Sequence, residues 1–284
     1  MTRIKLGIVL GTGLLIIGSL FSGCAEKVSP GLKVVTGTSL IANIVEDIGG
    51  DKVIIRNVIP PAYCPGYYDI KPGDIEMLAQ GKVFIIHHWQ QGHQNITELI
   101  SAAKNPNLTI KVIDVKGNWM APPYQAEAVD KIAVALSEVD PANSAYYQER
   151  GEGRKQAILA KGEEIQAKLK AAGVNKIKVI CSDMLTEFVT WAGFEVVATY
   201  GPEELSLAKM AEIVALAKAS GVILVIDNLQ SSPQAGKGIA SDIGAVQVTI
   251  SNFPGGFNHT ETWEKAIDKN VELLLEALTT YKRS

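Results

Sequence analysis

Residues 141–172 constrain the fold of this chain more than any other segment. Asp140-Pro141 places a proline where a helix tolerates it, at the first helical position, and no further proline interrupts the run up to Gly173. A helix of about 30 residues is about 45 Å long, more than an ordinary domain element needs. Gly151, Gly153 and Gly162 weaken this helix without ending it. On both sides of it, short apolar runs alternate with helix-like segments. The N-terminal strands are expected at Leu32–Thr36, Val53–Ile59, Val83–His87 and Leu108–Ile113, with helices at 39–48, 74–79, 97–103 and 126–139 between or after them. Beyond Gly173 the strands are expected at Lys176–Cys181, Glu195–Thr199, Val222–Ile226 and Ala245–Ile250. The helices there are expected at 185–192, 207–219, 232–243 and 260–278. Alternating βαβα with continuous apolar strands predicts an α/β fold of two lobes, each a mainly parallel sheet flanked by helices. In such sheets ligands sit beyond the C-terminal strand ends, so a cleft is expected there.

The N-terminus carries a different pattern. Arg3 and Lys5 precede an apolar run, Leu6–Leu20, which ends at small residues before Cys24. The run is too short for a spanning helix and ends like a cleavage site, so it predicts a secretory signal. Leu20-Phe21-Ser22-Gly23-Cys24 resembles a lipobox, in which Cys24 would be lipidated. The expected organisation is a signal peptide over 1–24, a tether over 25–31, an N-terminal lobe over 32–140, the long helix over 141–172 and a C-terminal lobe over 173–284. Gly11 and Gly13 fall inside the signal and form no phosphate cradle.

Charge narrows the partners. The net charge is −3 with both signs interspersed, so no basic stripe points to nucleic acid. With Cys24 assigned to lipid, Cys64 and Cys181 remain. In an extracytoplasmic protein they admit three readings: a disulfide, a shared ligand site, or two independent thiols.

The segment 60–74, P-P-A-Y-C-P-G-Y-Y-D-I-K-P-G-D, resembles a turn of the zinc- and manganese-binding lipoproteins of ABC importers, D-P-H-x-Y-E-x-x-P-x-D. The resemblance extends along the mature chain. Trp119-Met120-Ala121-Pro122 is similar to that family's W-L-x-P, and Asp140-Pro141-Ala142-Asn143 to its L-D-P-x-N. Cys181-Ser182-Asp183 resembles S-H-D, and Asp227 closes a strand where the family places an acidic residue. The resemblance implies a rigid helix joining two lobes and a lipid anchor holding the protein outside the cell membrane. It also implies a transition-metal ion, zinc or a softer one, as transported ligand, with a permease and its ATPase as partners. It implies no enzymatic activity.

The four usual ligand positions carry over to Gly66, Gly117, Ser182 and Asp227, so three histidines are replaced. Other donors stand near those positions. Cys64, His87, His88, Cys181, Asp183 and Asp227 form the expected metal set, and thiolates with imidazoles suit zinc or Cu(I) better than manganese. Adjacent strand residues face opposite sides, so only one of His87 and His88 is expected in the cleft unless the strand has ended. Each candidate also has a plain structural reading. A strand-end histidine can be a hydrogen-bonded core residue, Cys181 an inert buried thiol, and Asp183 a helix cap. Asp69 and Asp74 are expected to brace the turn at Pro72, and His93 and His259 to lie in exposed loops. The segment between His93 and Asn118 has no histidine, unlike the His-rich loop of the family.

A second reading uses Tyr63, Tyr67, Tyr68, Trp89, Trp119 and Trp191. With glycine at 66 and 117, an aromatic-lined cleft could take a metal chelate or a small organic solute. A thiol enzyme built on Cys64 lacks any accompanying oxyanion signature, and an adhesive lipoprotein has no feature of its own here.

Overall fold

Eight short apolar segments form two separate four-stranded sheets. The computed structural model describes residues 31–201 and 206–283; the expected signal peptide, Cys24 and the tether up to Pro30 lie outside the described residues. The first sheet contains β1 (Leu32–Thr36), β2 (Val53–Asn57), β3 (Val83–His87) and β4 (Thr109–Ile113), in the order β2-β1-β3-β4. The second contains β5 (Lys178–Ser182), β6 (Glu195–Tyr200), β7 (Leu224–Asn228) and β8 (Val246–Ile250), in the equivalent order β6-β5-β7-β8. Every pairing is parallel. Parallel strands need crossovers, and helices supply them on both sheet faces.

Those helices are α1 (Ser39–Gly49), α2 (Pro72–Gln80), α3 (Gln94–Ala103), α4 (Pro122–Val139), α5 (Ser144–Ala171), α6 (Thr186–Trp191), α7 (Leu207–Ser220), α8 (Lys237–Ile243) and α9 (Trp263–Tyr281). Helix α1 buries Leu40, Ile41, Ile44, Val45 and Ile48, an i, i+4, i+8 stripe, and ends at Gly50 with φ +50°. Helix α4 begins earlier than the apolar pattern indicates, because Pro122 and Pro123 serve as its first residues without needing a backbone donor. The helix expected over 232–243 begins only at Lys237. Its first residues instead form turns, with the Pro233 carbonyl accepting from Thr249 Oγ1 at 2.7 Å.

The long run opens with a 3-10 turn at Pro141–Asn143 and continues as α5 for 28 residues. Its mean composition is polar, and one narrow face is buried: Tyr147, Gly151, Ile158, Gly162, Ile165 and Leu169. Two of the glycines permit close packing on α4. A Cβ at Gly162 would lie 2.8 Å from Pro122 Cγ, and one at Gly151 3.1 Å from Ala133 Cβ.

Strand periodicity sorts the cores. In β3, Val83 and Ile85 face a central core, while Phe84 and Ile86 face an outer one under α2 and α3. In β7, Leu224 and Ile226 face the same central core, and Val225 faces an outer one under α7 and α8. The central core is continuous from α1 through α4 and α5 to α9, with Trp263 and Tyr147 among its largest buried side chains. Each fully buried aliphatic side chain there contributes roughly 1.5–3 kcal/mol. The two sheets are therefore fixed to one shared interior. Arg154 on α5 adds an ion-pair bridge, 2.7 Å from Asp47 Oδ2 on α1 and paired also with Glu264 on α9.

Candidate functional site

Both sheets place their two central strands, β1 with β3 and β5 with β7, where the strand order reverses, and the crevice beyond such C-terminal ends is the natural ligand position. A cavity of about 770 Å³ lies there, with walls from both sheets. The first sheet contributes Cys64, Tyr67, His87, His88, Trp89, His93, Asn118 and Trp119. The second contributes Asp183, Met184, Glu187, Asn228, Gln230, Ser231, Asn252 and Phe253.

His87 is the last residue of β3 and points to the same side as Val83 and Ile85. It lies between two indoles, stacked on Trp89 at 4.8 Å and tilted against Trp119 at 4.1 Å. Its Nε2 is 2.8 Å from Thr38 Oγ1, at the entrance to α1, while its Nδ1 is buried with no hydrogen-bond partner. Burial, with His88 nearby, pulls the His87 pKa down to about 3, so the ring is neutral. A neutral imidazole with one nitrogen held by a hydroxyl and the other unengaged has the form of a metal ligand with its outer support in place. Because β3 ends at His87, alternation no longer applies to His88, which stands in the following 3-10 turn and also lines the cavity. Its Nδ1 is 3.9 Å from Asp114 Oδ1.

His93, expected in an exposed loop, is half-buried on the cavity wall. Its Nδ1 is buried without a hydrogen-bond partner, burial lowers its pKa, and its ring lies 5.6 Å from that of Trp89. A Cβ at Gly66 would be 3.7 Å from His93 Cε1. His93 thus stands beside the position where the resembling family carries a histidine. The signal available in the sequence was its place between the strand-end pair His87-His88 and α3, a return to the same sheet edge.

The other expected donors divide in two groups. Cys64 lines the cavity, as does Asp183, whose Oδ1 accepts from Met184 N at 2.8 Å. Cys181 and Asp227 do not line it. Cys181 faces the central core with no exposure, and burial pushes its thiol up to about 12. Asp227 is turned to the other side of its sheet, where both carboxylate oxygens are engaged. Gly236 N donates to Oδ1 at 2.8 Å, Gln247 Nε2 to Oδ2 at 2.6 Å, and the Tyr200 hydroxyl to Oδ1. Strand parity explains both placements, since one residue's shift along a strand exchanges cleft, core and outer face.

The described residues accordingly hold no cluster of three or more His, Cys, Asp or Glu side chains close enough to bind one metal ion. Cys64 and Cys181 are not joined in a disulfide. Gly117 has φ +106°, and a Cβ there would meet the Tyr124 ring at 2.7 Å, so any larger residue at this position would be strained. Asp74, near the cavity turn, accepts from Tyr68 Oη at 3.1 Å and Lys71 N at 2.9 Å.

Amides tie the cavity floor across the lobes. Asn118 Nδ2 donates to the Met184 carbonyl at 2.8 Å and to Asn252 Oδ1 at 2.7 Å. Gln230 Nε2 donates to the Pro61 carbonyl at 2.8 Å. Asp183 and Glu187 are the charged side chains on the walls, and neither lysine nor arginine lines them.

Two α/β lobes on one long helix, with a cavity between their strand ends, define a cleft-type ligand-binding protein. The chain belongs to the family of the zinc-uptake complex component A, periplasmic, whose sequence model matches residues 34–277. It is 25% identical over 179 residues to a metal ABC transporter substrate-binding lipoprotein of Streptococcus cristatus, a match covering 56% of this chain and 58% of that protein. It is likewise 25% identical over 203 residues to an iron ABC transporter substrate-binding lipoprotein of Streptococcus pyogenes serotype M6, covering 63% and 66%. The matches thus span less than two thirds of these relatives' length. The crystal structure of a zinc-uptake component A superposes with a TM-score of 0.72 at 18% identity, covering 87% of this chain and 99% of that one.

Proposed function

We propose that this protein captures a transition metal in the cavity between its lobes and delivers it to a membrane permease energised by a separate ATPase. The observation that carries this reading is the pair of buried, unpartnered ring nitrogens of His87 and His93, with His88 beside them on one cavity, within a family of metal-uptake binding proteins. A buried polar atom without a partner costs roughly 1–3 kcal/mol, a cost that a bound metal complex at that position would offset. Cys64, Asp183 and Glu187 are further donors on the walls, and a mixture of sulfur, nitrogen and oxygen favours zinc or a softer ion. The chain acts outside the membrane, with Cys24 as its lipid anchor. The substrate-binding lipoprotein names of the relatives support this placement.

The test is metal content by mass spectrometry on the chain purified from cells, beside His87→Ala and Cys64→Ser variants. Near-stoichiometric transition metal that falls at least tenfold in the variants is the expected result. Protein that stays metal-free after exposure to cell extract and to zinc, copper, iron and manganese would overturn the assignment.

A further inference from the structure

The cavity contains donors and a size that do not match a naked ion. We infer that the metal enters this site already wrapped in a small, uncharged or cationic organic chelate, with His93 supplying a protein donor to it. This rests on the metal-capture reading and narrows its substrate class.

Four observations lead there. A bare ion needs several donors converging at about 2–2.3 Å, and the described residues bring no three together. A cavity of about 770 Å³ is within the range that encloses organic ligands. Closure around a small ion would require the lobes to approach further. Yet the floor is already bonded from lobe to lobe through Asn118, Asn252 and Gln230, and both sheets share one continuous core. The walls therefore keep their spacing, and the missing donors have to arrive with the metal.

The walls also describe the chelate. Trp89 and the 69% exposed Tyr67 offer flat apolar faces for an organic shell, above the buried Trp119 and Phe253. Asp183 and Glu187, with no opposing cation on the walls, repel anionic complexes such as citrate and favour neutral or positive ones. His87 and His93 each keep an unengaged ring nitrogen buried at this cavity. His93 is the one beside Gly66, where a Cβ would stand 3.7 Å from its ring. A neutral bis(amino acid) complex fits these demands in charge and shape. Binding is ligand exchange at constant oxidation state: one imidazole nitrogen lone pair bonds to the metal in place of a water or one chelate donor.

The experiment is isothermal titration of the metal-free full chain in detergent with four probes: zinc(II), zinc(II) bis-histidine, zinc(II) citrate and L-histidine. The bis-histidine complex is expected to bind at least tenfold tighter than zinc alone or zinc citrate. His93→Ala should weaken it at least tenfold, and Tyr67→Ala, at an exposed position that folding does not need, about threefold or more. Bare zinc binding as tightly as its complex would overturn the chelate while leaving metal capture standing. Silence from every probe, or L-histidine binding as well as its zinc complex, would overturn both. An unchanged affinity in a folded His93→Ala variant would remove His93 from the site.

Discussion

Asp227→Asn changes one atom and distinguishes a metal ligand from a structural brace. In the wild type, three donors converge on the buried carboxylate: Gly236 N at 2.8 Å, Gln247 Nε2 at 2.6 Å and the Tyr200 hydroxyl. Hydrogen bonds to a charged group contribute roughly 1.5–3 kcal/mol each, against about 1 for neutral pairs. In the amide, Oδ1 can still accept from Gly236 and Tyr200, but as a neutral acceptor. The new Nδ2 then faces the NH2 group of Gln247, donor against donor. Turning the Gln247 amide over would forfeit its bond to Thr249 Oγ1 at 2.9 Å. The expected loss is about 2–4 kcal/mol of stability, which for a protein of this size corresponds to roughly 5–15 °C in Tm. Urea unfolding with paired thermal melts measures it. Affinity for zinc(II) and zinc(II) bis-histidine is expected to change less than threefold, because neither carboxylate oxygen reaches the cavity. A variant as stable as wild type that has lost its affinity for both probes would refute this reasoning.

Three further perturbations follow from the same geometry. His87, pulled from 6.5 to about 3 by burial, binds no proton in the folded state where the unfolded chain does; stability is thus full above about pH 6.5 and declines as pH falls toward 3. The group's whole contribution is about 5 kcal/mol, and metal-free protein unfolded in urea from pH 7 to 4 should lose part of it, whereas His87→Gln should flatten the profile. On α5, Gly153 has open space at its Cβ position, so Gly153→Ala should stabilise by about 0.5–1 kcal/mol; Gly162→Ala, driven against Pro122, should destabilise by roughly 1–3 kcal/mol, with both read from unfolding midpoints. Cys181, with its thiol at about 12 and no exposure, should resist iodoacetamide in native protein at pH 8 and react only after unfolding; peptide mapping that finds it alkylated as fast as Cys64 would contradict its burial.

Much of the fold was legible because strand and helix periods are local properties. β3 runs over the residues its apolar pattern indicates, Val83–His87, and the proline-free run becomes α5. Helix starts were less legible where prolines or turns occur, as at Pro122 and Lys237, since capping there depends on partners distant in sequence such as Thr249. The candidate site was legible only in part. Cys64, His87, His88 and Asp183 reach the cavity as their places at strand ends and in the 60–74 turn indicate, but nothing local in the sequence shows that the His93 loop returns beside Gly66.

The sequence alone determined the α/β alternation and the length of the connecting helix. These follow from residue type and spacing. Tertiary structure alone decided which donors share a cavity. One-residue parity turns Asp227 to the outer face and Cys181 into the core, while the end of β3 releases both His87 and His88 toward the cleft. Side-chain direction depends on strand register and on where the strand stops, and both are set by packing between segments far apart in the chain.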